Sequence, residues 1–150
     1  MTTRFLPPDH AVPPPLRTSE FVFEVLGPEH NERDHAAWTQ SVEHIRNTPG
    51  FAGRQWPTDE MTLSRNLQDL QWHRQQYSEQ VSFTYAVLTA SDGAYVGCVY
   101  LYPPRTEEFD VDVASWVRQE RADLDKPLYD AVRRWLAAEW PWTRPDYAER

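Results

Sequence analysis

Two aspartates and three cations toward the end of this chain have the spacing that chemistry needs. Asp110 and Asp112 alternate with apolar residues over 109–118, so they share one face of an expected strand. A carboxylate in that position can take a proton from an attacking nucleophile, and Asp112, nearer the strand centre, is the better placed. Arg118, Arg121 and Lys126 follow within nine residues, each able to contact a diphosphate. Behind them, residues 127–140 make a strongly amphipathic helix. A strand that turns into a helix can hold an anion on the free N–H groups of the first helical turn. This turn carries no glycine. Asp125 is suited to cap the helix and Pro127 to its first turn, so the helix start can be satisfied without a ligand.

Other chemistries find little support. His10, His30, His35, His44 and His73 show no ligand spacing, so no metal site is expected. No Ser or Cys lies in a nucleophile-elbow context. Cys98 is the one cysteine and sits in an apolar run, which points to a buried, inert thiol and excludes an internal disulfide. A net charge of −8 argues against nucleic acid or an anionic membrane as partner. No apolar stretch approaches a membrane span, and the first residues lack a secretory signal, so a soluble cytoplasmic protein is expected.

The elements that must position these residues read as follows. A length of 150 residues fits one domain, taken as 20–150, preceded by an extended Pro-rich tail over 1–19. Residues 21–26 form a first strand. Asn31 can cap a helix running to about Asn47, with Trp38, Val42 and Ile45 on one face. A second helix starts near Thr58 or Thr62 and ends near Glu79, with Leu63, Leu67, Leu70 and Tyr77 as its buried stripe. Strands over 81–90 and 95–102 are joined by the turn at Ser91-Asp92-Gly93. After the strand over 109–118 and the helix over 127–140, the chain to Arg150 has room for one short strand. The fold class is α+β, a mixed and mostly antiparallel sheet of about five strands flanked by three main helices.

That order resembles the GNAT superfamily of acyl-CoA N-acyltransferases. Residues 93–103 look like its third strand, Ser115-Trp116-Val117-Arg118 like the end of its fourth, and residues 128–136 like the helix after its coenzyme loop. The likeness covers roughly residues 20–147. It implies acetyl-CoA as co-substrate, a primary amine of a small molecule or peptide as acceptor, and Asp112 or Asp110 as base. Trp116 and Val117 would touch the pantetheine arm, and Arg118, Arg121, Ala122 and Lys126 would hold the diphosphate. The family's Gln/Arg-x-x-Gly-x-Gly/Ala loop aligns either with Ala122, Asp125 and Pro127 or with Arg121, Leu124 and Lys126, and neither register supplies a glycine. Arg54, Trp56, Glu60, Tyr77 and Tyr85 would line the acceptor pocket, which that family builds from its first two helices. The C-terminal part is short against the family, whose later helix commonly carries a tyrosine acid. Only Tyr147 lies beyond the coenzyme-loop helix here.

Two functions follow from this resemblance. One is an N-acetyltransferase. The other is a non-catalytic GNAT-like module that binds a ligand or a partner. A shortened sheet leaves an edge to be covered, so a homodimer is expected, and a strictly monomeric profile at high concentration would contradict it.

Overall fold

The computed structural model describes residues 5–54, 56–58 and 61–150. Strand β1 (Phe21–Val25) is followed by a 3-10 turn and helices α1 (Asn31–Thr39), α2 (Val42–Arg46) and α3 (Leu63–Ser78). Strands β2 (Phe83–Thr89), β3 (Tyr95–Tyr102) and β4 (Val111–Val117) come next, then a 3-10 segment (Gln119–Leu124), helix α4 (Asp125–Glu139) and strand β5 (Pro145–Tyr147). The sheet order is β1-β2-β3-β4-β5. Neighbours from β1 to β4 are antiparallel, whereas β5 runs parallel to β4. This is the α+β arrangement that the alternation and helix periods suggest.

Local chemistry explains the main boundaries. Thr62 caps α3, its hydroxyl accepting from the Arg65 N–H at 3.1 Å. The β2–β3 turn is held by Thr89 and Asp92, with Gly93 at φ 71°, where a side chain would be strained. Gly97 has a different reason. A Cβ there would stand 2.0 Å from the Trp116 carbonyl oxygen, so the close approach of β3 to β4 requires glycine.

The expected first helix breaks in two at Gln40-Ser41. Ser41 is buried, and its hydroxyl accepts from the Gln119 N–H at 2.9 Å, tying this break to the end of β4. The stripe on α3 also differs from the expectation. Leu63 is exposed, while Asn66 and Leu70 are the buried residues, because α3 packs its polar Asn66 against α1.

Side chains on the two faces of the sheet enter two cores. On one face α4 lays Leu128, Val132, Trp135 and Leu136 against Phe23, Phe83 and Tyr85. Residues 5–17 extend over this same core: Leu6 is buried, Phe5 stacks on Trp142 at 4.8 Å, and the Phe23 N–H donates to the Leu16 carbonyl. On the other face α1 to α3 cover Ala86, Cys98, Tyr100, Ala114 and Trp116. Parity on β4 therefore assigns Asp112, Ala114 and Trp116 to the α1–α3 face, and Val111, Val113 and Val117 to the α4 face.

One feature of β4 matters for function. It pairs with β5 only from Val111 to Val113, opposite Pro145 to Tyr147. Beyond that point the outer edge of residues 114–117 has no strand neighbour among the described residues.

Candidate functional site

The α1–α3 face leaves a cavity of about 260 Å³ between α3, the loop after α2, and β3–β4. Phe51, Trp56, Trp72, Tyr100 and Tyr102 supply its aromatic walls, and Ala114 of β4 closes one side. Trp56 packs at 5.5 Å from Trp38 and 6.0 Å from Trp116, so the wall is continuous with the core. The polar groups facing it are Asp34, Arg54, Asn66, Asp69 and His73.

Each polar group has a distinct state. Asp34 is buried and accepts from the Tyr95 hydroxyl at 2.6 Å and the Asn66 amide at 3.1 Å. Burial raises its pKa, and those two hydrogen bonds oppose the rise. Asp69 faces Arg65 at 3.6 Å, and burial again raises its carboxyl. Burial pushes the His73 imidazole down to about 4, so it is neutral at physiological pH. Its Nδ1 is enclosed with no hydrogen-bond partner.

The candidate bases separate. Asp112 is buried at the edge of this region, 3.6 Å from the guanidinium of Arg54, which lines the cavity, and 3.6 Å from that of Arg105. Burial raises its pKa, with Arg105 and then Arg54 pulling it back. Asp110 lies before β4 and is spent on structure. It accepts from the backbone N–H groups of Thr143 and Arg144 and from the Arg144 side chain at 2.8 Å. The Arg144 bond holds its carboxyl below the usual range. A carboxylate engaged in this way is a poor proton acceptor.

Of the expected acceptor-pocket residues, Arg54 and Trp56 line the cavity. Tyr85 does not. It points to the α4 face, where its ring meets Trp135 at 5.2 Å, and Tyr77 packs against it at 5.9 Å. Strand parity is the reason, since Tyr85 alternates with Ala86. Glu60 lies outside the described residues. Sequence reasoning passed over His73, Asp69 and Asn66. Their signal was polar residues at i, i+3 and i+7 on α3, alongside Leu70.

The expected coenzyme residues sit at the end of β4 and in the 3-10 segment. Trp116 and Val117 are fully buried, on opposite faces, and the Trp116 indole N–H donates to the Tyr100 hydroxyl at 2.8 Å. Arg118 bonds Glu120, Gln40 and the Tyr95 carbonyl. Arg121 pairs with Asp123, and Lys126 with Asp130 one turn on. Ala122 is exposed. Asp125 is not the helix cap: Leu124 holds that position and no side chain caps α4. The Asp125 carboxylate instead binds the Arg150 guanidinium at 2.6 Å and 3.0 Å. Tyr147 lies in β5 opposite Val113, with its ring under Arg133 and 5.9 Å from Tyr129; burial raises its hydroxyl, and it is not among the residues lining the cavity.

Solved structures share this architecture. A ribosomal-protein-S5-alanine acetyltransferase from Vibrio fischeri superposes with a TM-score of 0.63 at 11% identity, over 83% of this chain and 66% of that one. A Bordetella pertussis protein assigned to the GNAT acetyltransferases gives 0.52 at 15% identity, over 84% and 73%. A Vibrio cholerae protein assigned as a ribosomal-protein-serine acetyltransferase gives 0.55 at 16%, over 79% and 64%. The fold is that of the GNAT acetyltransferases. The chain spans about two thirds of the length of these GNAT structures. No protein-family model matches it, and no curated protein matches it in sequence.

The GNAT fold implies acetyl-CoA, and the residues can be tested against it. An amide-bearing arm needs an unpaired strand edge, and residues 114–117 of β4 have no strand neighbour beyond β5 among the described residues, although the Ser115 carbonyl there accepts from Arg150. A diphosphate needs positive charge. Arg121 and Lys126 are exposed, and surface ion pairs of this kind stabilise little, so both can be re-aimed at a phosphate. Backbone donors are largely taken: the N–H of Gln119 by Ser41, of Arg121 by the Arg118 carbonyl, of Asp125 by the Ala122 carbonyl. The residues fit a coenzyme held by side-chain cations in place of a glycine loop. No three His, Cys, Asp or Glu side chains among the described residues group as a metal site. Nor is any described helix long and apolar enough to cross a membrane.

Proposed function

We propose that this chain is a GNAT-fold N-acetyltransferase that moves an acetyl group from acetyl-CoA to a primary amine of a small molecule or peptide. The observation that carries this reading is the position of Ala114 and Ser115. Ala114 walls the cavity, and the next residue, Ser115, lies on the outer edge of β4 beyond its pairing with β5, where its carbonyl meets the Arg150 side chain and, among the described residues, no strand. An amine held in the cavity and a thioester lying along that edge would meet at the middle of one strand.

Acetyl-CoA would supply the activated acetyl group, its C–S bond breaking as the C–N bond to the amine forms and coenzyme A departing as the thiol after taking up a proton. The chain's own residues supply the rest. The aromatic walls hold the body of the acceptor and exclude water. Arg54 links the cavity to Asp112, whose carboxylate accepts the proton that the amine must lose, directly or through a water. Arg118, Arg121 and Lys126 hold the diphosphate, with Trp116 and Val117 forming the strand against which the arm lies.

A second reading has its own support. The occupied N–H groups of the 3-10 segment favour a module that binds an amine in the cavity without transferring an acyl group. Calorimetric titration with acetyl-CoA separates the two. Binding in the micromolar range supports the transferase. No heat at millimolar coenzyme, with Arg150 present or removed, would leave the binding module.

A further inference from the structure

After β5 the chain turns inward, and Arg150 enters the notch between β4 and the start of α4. Its side chain is 6% exposed. One guanidinium nitrogen donates to the Ser115 carbonyl at 2.8 Å and lies 3.2 Å from the Ser115 hydroxyl. The same guanidinium grips the Asp125 carboxylate at 2.6 Å and 3.0 Å, and it lies over the Tyr129 ring at 5.6 Å. Ala148 packs beside Gly50, where an added Cβ would come within 2.9 Å, so the segment is seated from both sides. Arg150 thus occupies the carbonyl that β5 leaves free and the first residue of the helix that an anion would approach.

The contrast with the other cations is informative. Arg121 and Lys126 make exposed contacts with near neighbours in sequence. Arg150 makes an enclosed one that joins three parts of the chain: β4, the start of α4 and the segment after β5. An exposed pair exchanges partners readily, whereas an enclosed, bidentate carboxylate pair does not.

We propose that Arg150 is an autoinhibitory latch on the coenzyme edge of β4, and that acyl-CoA binds only when the guanidinium leaves Ser115 and Asp125. This rests on the acetyl-CoA reading above. The latch divides the protein between a closed form and a competent one, so the apparent affinity is the intrinsic affinity reduced by the competent fraction. Removing Arg150 alone leaves Asp125 unpaired beside the phosphates, so the informative variant removes both charges.

The test is calorimetric titration of acetyl-CoA into the full chain as wild type, Arg150→Lys and Arg150→Ala/Asp125→Asn, with circular dichroism melts to confirm folding. Arg150→Lys keeps the charge but replaces the planar fork, which grips Asp125 from two nitrogens, by a single ammonium, and it serves if the double variant fails to fold. The latch predicts that the double variant binds about tenfold tighter than wild type, or binds where wild type gives no heat, with Arg150→Lys between them. Equal affinities would overturn the latch and leave the coenzyme reading standing. Weaker binding by both variants would also overturn it, by making Arg150 part of the binding site. No binding by any of the three would remove the coenzyme reading, and the latch with it.

Discussion

The two faces of the sheet are built from the same strands and have opposite characters. On the α4 face, aromatic and aliphatic side chains pack ring against ring: Trp135 meets Phe23 edge-on at 5.4 Å and Tyr85 at 5.2 Å, and Trp140 stacks on Trp142 at 4.7 Å. On the α1–α3 face, a buried carboxylate, a buried amide and a neutral imidazole surround a cavity. Burying polar groups is costly unless each is paired, as Asp34 and Asn66 are. The His73 Nδ1 beside the cavity is not paired, nor are the Tyr85 hydroxyl and the Trp140 indole N–H on the α4 face, and a void forfeits contacts. The α4 face is thus the more apolar of the two, and the α1–α3 face gathers the carboxylate, amide and imidazole of the candidate site.

Substitutions can break this contrast. The largest effect should come from Trp135→Ala, which removes a nearly enclosed ring from the α4 face. A loss of roughly 3–5 kcal/mol is expected by urea denaturation. Ligand affinity of the fraction that remains folded should be unchanged. A large affinity change from this substitution would show that the faces are not separate. On the other face, Asp112→Asn should leave the fold and lower the rate by about 100-fold with an identified amine acceptor, flattening the rate's dependence on pH. Unchanged turnover would remove Asp112 as the base.

The smallest effect concerns His73. Its folded-state pKa is depressed to about 4 from an ordinary 6.5, so the unfolded chain binds a proton in that window and the folded chain does not. The stability from keeping His73 neutral is complete above pH 6.5 and is lost as pH falls toward 4. Relative to His73→Gln, wild type should lose about 2 kcal/mol across this range. Parallel stability curves for the two proteins would show that His73 is not desolvated by the cavity. The comparison with the variant isolates His73 from Asp34 and Asp112, whose raised carboxyls change stability in the opposite sense as pH falls.

Much of the framework was legible because it depends on short-range patterns. The apolar run over 95–102, the turn at Gly93 and the amphipathic period of α4 locate those elements within a residue or two. The break in the first helix was not legible, since Ser41 is recruited by Gln119, seventy-eight residues away. For the site, Arg54 and Trp56 could be assigned to the cavity side, but Tyr77 and Tyr85 could not be assigned to the other. A tyrosine reads the same on either face until strand parity is tied to particular helices. The pairing of Asp110 with the residues just before β5 was hidden for the same reason.

The glycine-free turn shows the same division. The sequence by itself determined that no glycine loop could form there and that cations and carboxylates would crowd the start of α4, because residue type and local spacing suffice for both. It also suggested that Asp125 would complete the helix start as a cap. Only the tertiary structure decided that the turn is a 3-10 segment feeding directly into α4, with Asp125 turned to Arg150. That pairing spans twenty-five residues and depends on how β5 lies along β4. A contact of that kind is set by the packed sheet, and no local pattern encodes it.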